Sequence, residues 1–194
     1  MSALQEKKRL ARIAEERRAM KTKNLVVLAL LVGMGAVLHA VVPGFFLGMK
    51  PDMMLTFMFL GIILFPDKKS VLLLGLVTGI ISGLTTTFPG GLFPNIIDKF
   101  VTAFVILGVF SLLKKYQSSI ISIAILTAIG TVVSGIVFLT SALLIVGLPG
   151  PFIALFSTVV LPATAFNTVF MIILYPIAIS IVKRTNLTGQ TISH

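Results

Sequence analysis

Two of the three clusters that combine a lysine with an aspartate lie beside aromatic or apolar residues and are candidates for ligand binding, and the third is Asp67-Lys68-Lys69. Lys50 and Asp52 are two residues apart in a linker rich in phenylalanine and glycine, and Asp98 and Lys99 are adjacent. A cation and a carboxylate held close together can each bind the opposite charge of a zwitterion. We therefore interpret the pair Lys50 and Asp52 as placed for a zwitterionic ligand rather than for solubility.

Residues for other chemistry are scarce. The sequence contains no cysteine, which excludes disulfides and thiolate metal sites. It also lacks the G-x-x-x-x-G-K-[ST] phosphate-binding loop, the H-E-x-x-H zinc motif and a recognisable Ser/His/Asp set. We predict that the protein is not an enzyme, does not hydrolyse ATP by itself and holds no metal or cofactor.

The composition is that of a membrane protein. Hydrophobic residues make up 57% of the 194 residues, charged residues make up 11%, and the mean hydropathy is +1.09. A helix that crosses a bilayer core of about 30 Å needs roughly 17–25 mainly apolar residues. The predicted fold class is an all-α polytopic membrane protein with six transmembrane helices. The spans are predicted near residues 24–42, 52–66, 70–87, 96–113, 118–146 and 156–182.

The basic residues indicate how these spans are oriented. With six spans, every lysine and arginine except Lys50 and Lys99 lies on one side of the membrane. By the positive-inside rule that side is cytoplasmic, and so are both termini. A seventh span between 118 and 182 is the alternative, but it would leave Lys183 and Arg184 outside.

The predicted organisation has three parts: a basic cytoplasmic tail over 1–23, a membrane domain over 24–183 and a short cytoplasmic tail over 184–194. The net charge of +10 lies in the first tail and in short loops. Without a folded soluble domain, this charge indicates anionic membrane lipids as partners and not nucleic acid. The first tail is either solvated, or a helix lying on the inner leaflet, or a contact for a specific partner.

Topology gathers candidate binding residues at the outer ends of the spans. The second, fourth and sixth spans begin outside, so the positive ends of their helix dipoles favour a ligand carboxylate there. Asp52 and Asn95 are also natural N-caps, and Asp98 stands at the third helical position, so both aspartates have a capping alternative. His39 is a gate, a ligand contact or a polar residue satisfied within the protein. Asn167 is either a ligand contact or an interhelical hydrogen-bond partner. The candidate substrate-binding residues are His39, Lys50, Asp52, Asn95, Asp98, Lys99 and Asn167.

Small residues form two stripes that allow helices to approach closely. Each stripe serves either internal packing or docking against a separate membrane subunit. The first span carries Ala29, Gly33, Ala36 and Ala40 within about 60° of one another, and the third span carries Gly75, Gly79 and Gly83 at intervals of four.

The outer loops are apolar although they contain turn-forming residues. Residues 88–94 and 147–152 are rich in proline and glycine and contain phenylalanine. Loops of this composition make poor water-exposed surface. We expect them to fold back over the helix ends and close a cavity, and the alternative is simple anchoring at the membrane interface.

Four sequence blocks, in this order, resemble the bacterial tryptophan transport protein family (TrpP). They are Gly33–His39, Phe46–Met54, Gly79–Thr86 and Phe93–Thr102, and the resemblance runs from about residue 21 onward. The family is similar to the substrate-binding S components of energy-coupling factor (ECF) transporters. The resemblance implies a six-helix protein of the bacterial plasma membrane that captures tryptophan, or a related aromatic zwitterion, outside the cell. It also implies two kinds of partner, a coupling transmembrane subunit and two ATPase subunits.

The resemblance further implies a surface for the coupling subunit. S components typically carry an Ala-x-x-x-Ala motif on the first span. Here the matching positions are Ala29 and Gly33, and glycine preserves close approach. The implied interface consists of Ala29, Gly33, Ala36 and Ala40.

For tryptophan as the ligand, Lys50 and Lys99 are expected near the carboxylate, Asp52 or Asp98 near the amine, and phenylalanines around the indole. Two other functions stay open from the residues themselves. One is a solitary sodium- or proton-driven carrier. The other, from a different class, is a membrane scaffold or membrane enzyme.

Overall fold

The structure is a computed structural model that describes residues 3–41, 52–113 and 119–184. Within these ranges the chain is helical or forms short connections, and it contains no β-strand. The helices are α1 (Ala3–Val41), α2 (Met53–Leu64), α3 (Lys68–Thr85), α4 (Leu92–Leu112), α5 (Ile120–Ile145), α6 (Phe152–Leu155) and α7 (Leu161–Arg184). A π-helical turn, Phe156–Val160, joins α6 to α7.

Five stretches are long and apolar enough to cross a membrane: Thr22–Val41 of α1, then α3, α4, α5 and the run Phe152–Arg184. Large apolar side chains are exposed along them, as expected of surfaces that face lipid. The prediction of an all-α polytopic membrane protein is confirmed. Only two helical runs follow residue 118 in the described part of the chain, so they provide no seventh span.

The helix α2 differs from the span predicted over 52–66. With its 12 residues it is about 18 Å long at 1.5 Å per residue, which is well short of the bilayer core. All of its residues are buried, so it is an interior helix that contacts α1, α3, α4, α5 and α7. An apolar run of this length predicts either a span or a buried helix, and the burial on all sides distinguishes the two.

The basic tail and the first span form one element. The helix α1 runs from Ala3 to Val41 without a break. The described part of the tail is therefore helical and continues directly into the first span. The span itself packs against α2 through Gly35, where an added Cβ atom would lie 3.4 Å from the Cα atom of Met54.

Glycines of α3 determine its contact with α4. A Cβ atom on Gly79 would lie 2.9 Å from the Cα atom of Ile96, and a Cβ atom on Gly83 would lie 2.9 Å from the Cα atom of Leu92. Gly75 approaches the backbone of α4 in the same way. Backbones this close leave no room for a side chain. The third-span stripe therefore serves internal packing, and it brings the first half of α4 against α3.

The stripe on α1 has a different environment. Ala29, Gly33 and Ala40 are exposed, and Ala36 is half-buried. Among the described residues, no atom lies within 4 Å of a Cβ atom placed on Gly33. The stripe is thus open to lipid or to another protein.

The connection between α3 and α4 folds over the end of α5. Gly90 has a φ of +70°, and a Cβ atom there would lie 2.6 Å from Cγ1 of Val146. Phe88 is buried, and its ring centre lies 5.5 Å from that of Phe138 in an edge arrangement. The expectation that this loop covers the helix ends is confirmed for Phe88. We use the term site end for one end of the bundle. At this end α1, α3 and α5 terminate, and α2, α4 and α6 begin.

Candidate functional site

Asp52 lies directly before α2, at its N-cap position, but its side chain makes no capping hydrogen bond. Instead its Oδ2 atom lies 2.5 Å from Nζ of Lys99, and its Oδ1 atom lies 3.4 Å from Nδ1 of His39. The side chain is 19% exposed. Capping therefore does not account for this carboxylate, which joins three elements and keeps part of its surface accessible.

Lys99 stands between two carboxylates. Its side chain is 2% exposed and forms salt bridges with Asp52 and with Asp98, its neighbour on α4. Burying an ammonium group is unfavourable unless opposite charge is held against it, and the two carboxylates provide that charge. We call the side chains of His39, Asp52, Asp98 and Lys99 the ionic cluster. When His39 is neutral, the cluster carries two negative charges and one positive charge.

Asp98 is held by three neighbours. Besides Lys99, Thr102 donates a hydrogen bond to Oδ1 at 2.9 Å, and Ser134 of α5 donates one to Oδ2 at 2.9 Å. Asp98 is 1% exposed, and these bonds satisfy both of its oxygens within the protein. Asp98 joins α4 to α5 and does not cap α4, which begins at Leu92.

The helix α4 begins earlier than the span predicted from residue 96. Pro94 fits into its first turn, where a missing N–H leaves no intrahelical hydrogen bond unmade. Asn95 is therefore inside the helix, where its Nδ2 donates to the carbonyl oxygen of Gly91 at 2.7 Å. The prediction that Asn95 is the N-cap is wrong. The earlier start also carries Asp98 and Lys99 about two turns into the helix.

Asn167 lies on α7 and is fully buried. Its Nδ2 donates to Oγ1 of Thr131 on α5 at 3.4 Å, and Thr131 in turn donates to the carbonyl oxygen of Thr127 at 2.9 Å. Among the described residues, none donates a hydrogen bond to Oδ1 of Asn167. Asn167 thus makes a helix-to-helix contact through its nitrogen and keeps a free acceptor on its oxygen.

These side chains line one cavity at the site end, with a volume of about 90 Å³. Phe88, Phe138, Leu139 and Val160 contribute to its apolar wall. Lys50 lies outside the described residues. Every other predicted binding residue lines the cavity: His39, Asp52, Asn95, Asp98, Lys99 and Asn167.

The cavity is small for an aromatic ligand. An enclosed apolar cavity of about 150 Å³ admits benzene. To enclose a larger ring, this partly open cavity of about 90 Å³ requires its wall to move. Val159 and Val160 of the π-helical turn form part of that wall. Single π-helical turns occur frequently at functional sites. We therefore expect this turn to be the part of the wall that adjusts.

Ser134 and Thr131 also belong to the polar lining, together with Thr86 and Thr87, although none of the four was predicted as a binding residue. The sequence places Ser134 and Thr131 on one face of the fifth span. Serine and threonine hydroxyls in helices often donate to the backbone of their own helix, as the hydroxyl of Thr131 does. The hydrogen bond from Ser134 to Asp98 becomes visible only in the tertiary structure.

Two opposing effects act on the pKa of Asp52, which precedes α2. Burial raises the pKa of this carboxyl, but Lys99 and His39 together outweigh burial and hold the pKa below its usual range. Asp52 is therefore a carboxylate at neutral pH. An anionic oxygen in a buried cavity is a binding group for an ammonium or another cation.

The arrangement is suited to binding rather than to covalent chemistry. In the described ranges, no group of three histidine, cysteine, aspartate or glutamate side chains could hold a metal ion. The ionic side chains are paired with one another around a partly apolar cavity. A cavity between the helices of a membrane bundle is a typical place for a small-ligand site, so the fold and the cavity are those expected of a membrane protein that binds a small ligand.

The chain belongs to the tryptophan transporter TrpP family, whose model matches residues 21–183. The resemblance found in the sequence is confirmed, including its start near residue 21. The family consists of transport proteins, so the prediction that the protein is not an enzyme is confirmed as well.

Curated relatives agree with this assignment. A probable tryptophan transport protein of Bacillus subtilis (strain 168) is 58% identical over 167 residues, which cover 86% of this chain and 96% of the relative. Probable tryptophan transport proteins of Clostridium acetobutylicum and of Clostridium perfringens are 44% identical over 159 residues and 40% identical over 175 residues. These alignments cover 80% and 86% of this chain, and 91% and 96% of the relatives. No solved structure gives a significant match.

Proposed function

We propose that this protein imports tryptophan, or a related aromatic zwitterion, across the bacterial plasma membrane and captures it at the site end, which faces outside. The relatives named above, at up to 58% identity, support this substrate. The charge pattern supports the orientation. Lys68 and Lys69 begin α3, and Lys183 and Arg184 end α7, at the opposite end of the bundle from the cavity.

The observation that carries the proposal concerns Oδ1 of Asp52. Asp52 lines the cavity, and its Oδ1 atom accepts no hydrogen bond from the described residues; the contact to Nδ1 of His39, at 3.4 Å, is an ion-pair contact when the imidazole is protonated. Asp98, by contrast, has both oxygens occupied. Asp52 is therefore the carboxylate that binds the ammonium group of the ligand, and Asp98 holds the site together.

The ligand carboxylate is assigned to Lys50 and Lys99. In an amino acid both charged groups are attached to one carbon, so an ammonium at Asp52 brings the carboxylate close to Lys99, whose Nζ is 2.5 Å from Oδ2 of Asp52. Lys50 is two residues from Asp52 in the sequence and adds a second cation. His39 orients Asp52, and Asn95 borders the same cavity.

We assign the energy source to other subunits, as in ECF transporters. The sequence has no phosphate-binding loop, so ATP hydrolysis requires a coupling transmembrane subunit and two ATPase subunits. The exposed stripe on α1, centred on Gly33, supports a surface for the coupling subunit, because a helix can approach it closely.

Calorimetric titration of tryptophan into the detergent-solubilised protein tests the substrate. We expect saturable binding by the wild type and a loss of at least about tenfold in affinity for Asp52→Asn, because a buried ammonium then loses its counter-charge. Asp67→Asn is the matched control, because Asp67 caps α3 at the far end of the bundle through the backbone N–H of Ser70, and asparagine can do the same. Absence of tryptophan binding by the wild type overturns the proposal.

An ion-coupled carrier is the second candidate, and one observation favours it. A buried cluster of ionisable side chains lies at the site end and consists of His39, Asp52, Asp98 and Lys99. Such clusters occur in proton-coupled carriers. Uptake into cells that lack the ATPase subunits distinguishes the two. The ATP-driven importer loses uptake there, whereas the carrier keeps it and loses it when ion gradients collapse.

A further inference from the structure

The side-chain amide of Asn167 has a defined orientation. The hydroxyl proton of Thr131 is donated to the carbonyl oxygen of Thr127 at 2.9 Å, so Oγ1 of Thr131 is left as an acceptor for the amide. A donor must therefore face it, and that donor is Nδ2 of Asn167 at 3.4 Å. If the amide were flipped, its oxygen would face another oxygen without a proton between them. Oδ1 of Asn167 therefore points away from Thr131.

This oxygen is an unusual buried group. Asn167 is fully buried, and none of the described residues donates a hydrogen bond to its Oδ1. Thr56 and Ser82 also have buried hydroxyls without a partner. A hydroxyl on a helix can rotate toward a carbonyl of its own helix, but an amide oxygen cannot be satisfied in that way, because it needs a donor. The donor that suits Asn167 is a group of a ligand, since Asn167 lines the cavity.

The position of Asn167 indicates which ligand group this is. Its partner Thr131 is three residues from Ser134 along α5, which corresponds to about 4.5 Å along the helix. Ser134 donates a hydrogen bond to Asp98, so it lies at the depth of the ionic cluster. The side-chain amide of Asn167 therefore lies roughly one helical turn deeper in the bundle than the ionic cluster.

The two acceptors also differ in charge. Asp52 is anionic and suits an ammonium group, whose charge must be paired when it is buried. The amide oxygen of Asn167 is neutral and suits a neutral N–H. Leu139, Val160 and Ala163 line the same cavity, as expected around an apolar ring.

We infer that Oδ1 of Asn167 accepts the hydrogen bond of the indole N–H of a ligand whose ammonium group lies at Asp52. This inference rests on the proposed function and deepens it, because it makes Asn167 the residue that distinguishes indole from other aromatic rings. A site built to hydrogen-bond a substrate N–H discriminates against an analogue that lacks it, because the buried acceptor is then left without a partner.

The test compares tryptophan with 3-benzothienylalanine, in which sulfur replaces the indole N–H in a ring of similar size. Calorimetric titration of the full-length protein in detergent is expected to give an affinity for tryptophan at least about tenfold higher than for the analogue. In Asn167→Leu the affinity for tryptophan falls and the two affinities become similar. Ser82→Ala is the matched control, because it removes a buried hydroxyl that lies outside the cavity lining, and it should keep the wild-type ratio.

The possible results separate the role of Asn167 from the proposed function. Equal binding of both compounds by the wild type overturns the role of Asn167, and this comparison needs no variant to fold. Discrimination that persists in Asn167→Leu overturns it too. If the wild type binds no tryptophan at all, the proposed function itself fails. If it binds tryptophan without discrimination, only the inference about Asn167 fails.

Discussion

Ser134 on α5 and Asp98 on α4 are joined by a hydrogen bond of 2.9 Å between Oγ and Oδ2. This contact ties the two helices together at the centre of the ionic cluster. It gives the buried carboxylate a donor from a second helix, in addition to Lys99 and Thr102 on its own helix. The ionic cluster is therefore a structural joint as well as a candidate binding site.

Removal of this joint should lower stability. Ser134→Ala leaves Asp98 with one donor fewer in a buried position, and we expect a loss of about 1–3 kcal/mol in the free energy of unfolding. Thermal unfolding in detergent measures it. Ser157→Ala removes an exposed serine whose hydroxyl bonds only its own helical segment, and this control should change stability much less. Equal effects of the two substitutions would contradict the prediction.

Removal of the central cation should have a larger effect. Lys99→Met leaves Asp52 and Asp98 as two buried carboxylates without their shared partner, which is expected to lower stability by about 3–5 kcal/mol. The double variant Lys99→Met/Asp98→Asn removes one of the two negative charges and should recover part of the loss in the same unfolding assay. A double-variant effect equal to the sum of the single effects would mean that the charges are not coupled.

Stability should depend on pH through Asp52. Because the pKa of Asp52 is held below its usual range in the folded protein, the folded state binds fewer protons than the unfolded state at low pH. The stabilisation is complete above the unfolded pKa of about 3.9 and is lost as the pH falls through the lower folded pKa. Asp52→Asn should therefore flatten the acid limb of a plot of unfolding temperature against pH. An acid limb that is unchanged in the variant would contradict the assignment.

The two small-residue stripes should respond to alanine in opposite ways. Gly79→Ala places a Cβ atom 2.9 Å from the backbone of Ile96, which forces α3 away from α4 and should cost about 1–3 kcal/mol of stability. Gly33→Ala meets no described atom within 4 Å, and alanine is the better helix former by about 1 kcal/mol, so stability should stay the same or rise. Paired thermal unfolding curves measure both effects. Destabilisation by Gly33→Ala would mean that α1 is packed more tightly than the structure has it.

The proposed interface on α1 has its own test. Gly33→Leu should leave tryptophan binding unchanged, because Gly33 lies outside the cavity lining, but should abolish uptake in cells that express the ATPase subunits. Gly108→Leu is the matched control, because Gly108 of α4 is also exposed with no described atom within 4 Å of an added Cβ. It should keep both binding and uptake. Equal uptake by the two variants would show that the coupling subunit does not bind at the stripe on α1.

The charged residues of the site were predictable because charge is rare in this sequence. Asp52, Asp98 and Lys99 stand out from apolar surroundings, and the predicted topology places them at the same end of the spans. That they meet in one ionic cluster could not be predicted. The capping alternative could not be decided in the same way. It depends on where α4 starts, and Pro94 lies inside the first turn of the helix rather than before it.

Other parts of the site could not be derived from one sequence. The hydroxyl of Ser134 has local partners available in any helix, so its bond to Asp98 depends on how α4 and α5 pack. The burial of α2 on all sides could not be predicted for a similar reason. A continuous apolar run looks the same whether it faces lipid or protein, and only the helices around it determine which.

The complete burial of α2 has a consequence for biosynthesis. A segment of 12 apolar residues is a weak signal for insertion by itself, because insertion machinery recognises segments of about 20 residues. Its contacts with α1 and α3 are available early in translation, but those with α7 come only after α7 has been made, about 100 residues later in the chain. We expect α2 to enter the membrane together with its sequence neighbours and to reach its final surroundings only once α7 has packed against it. The position of Asp52 at the start of α2 is therefore fixed late in the assembly of the bundle.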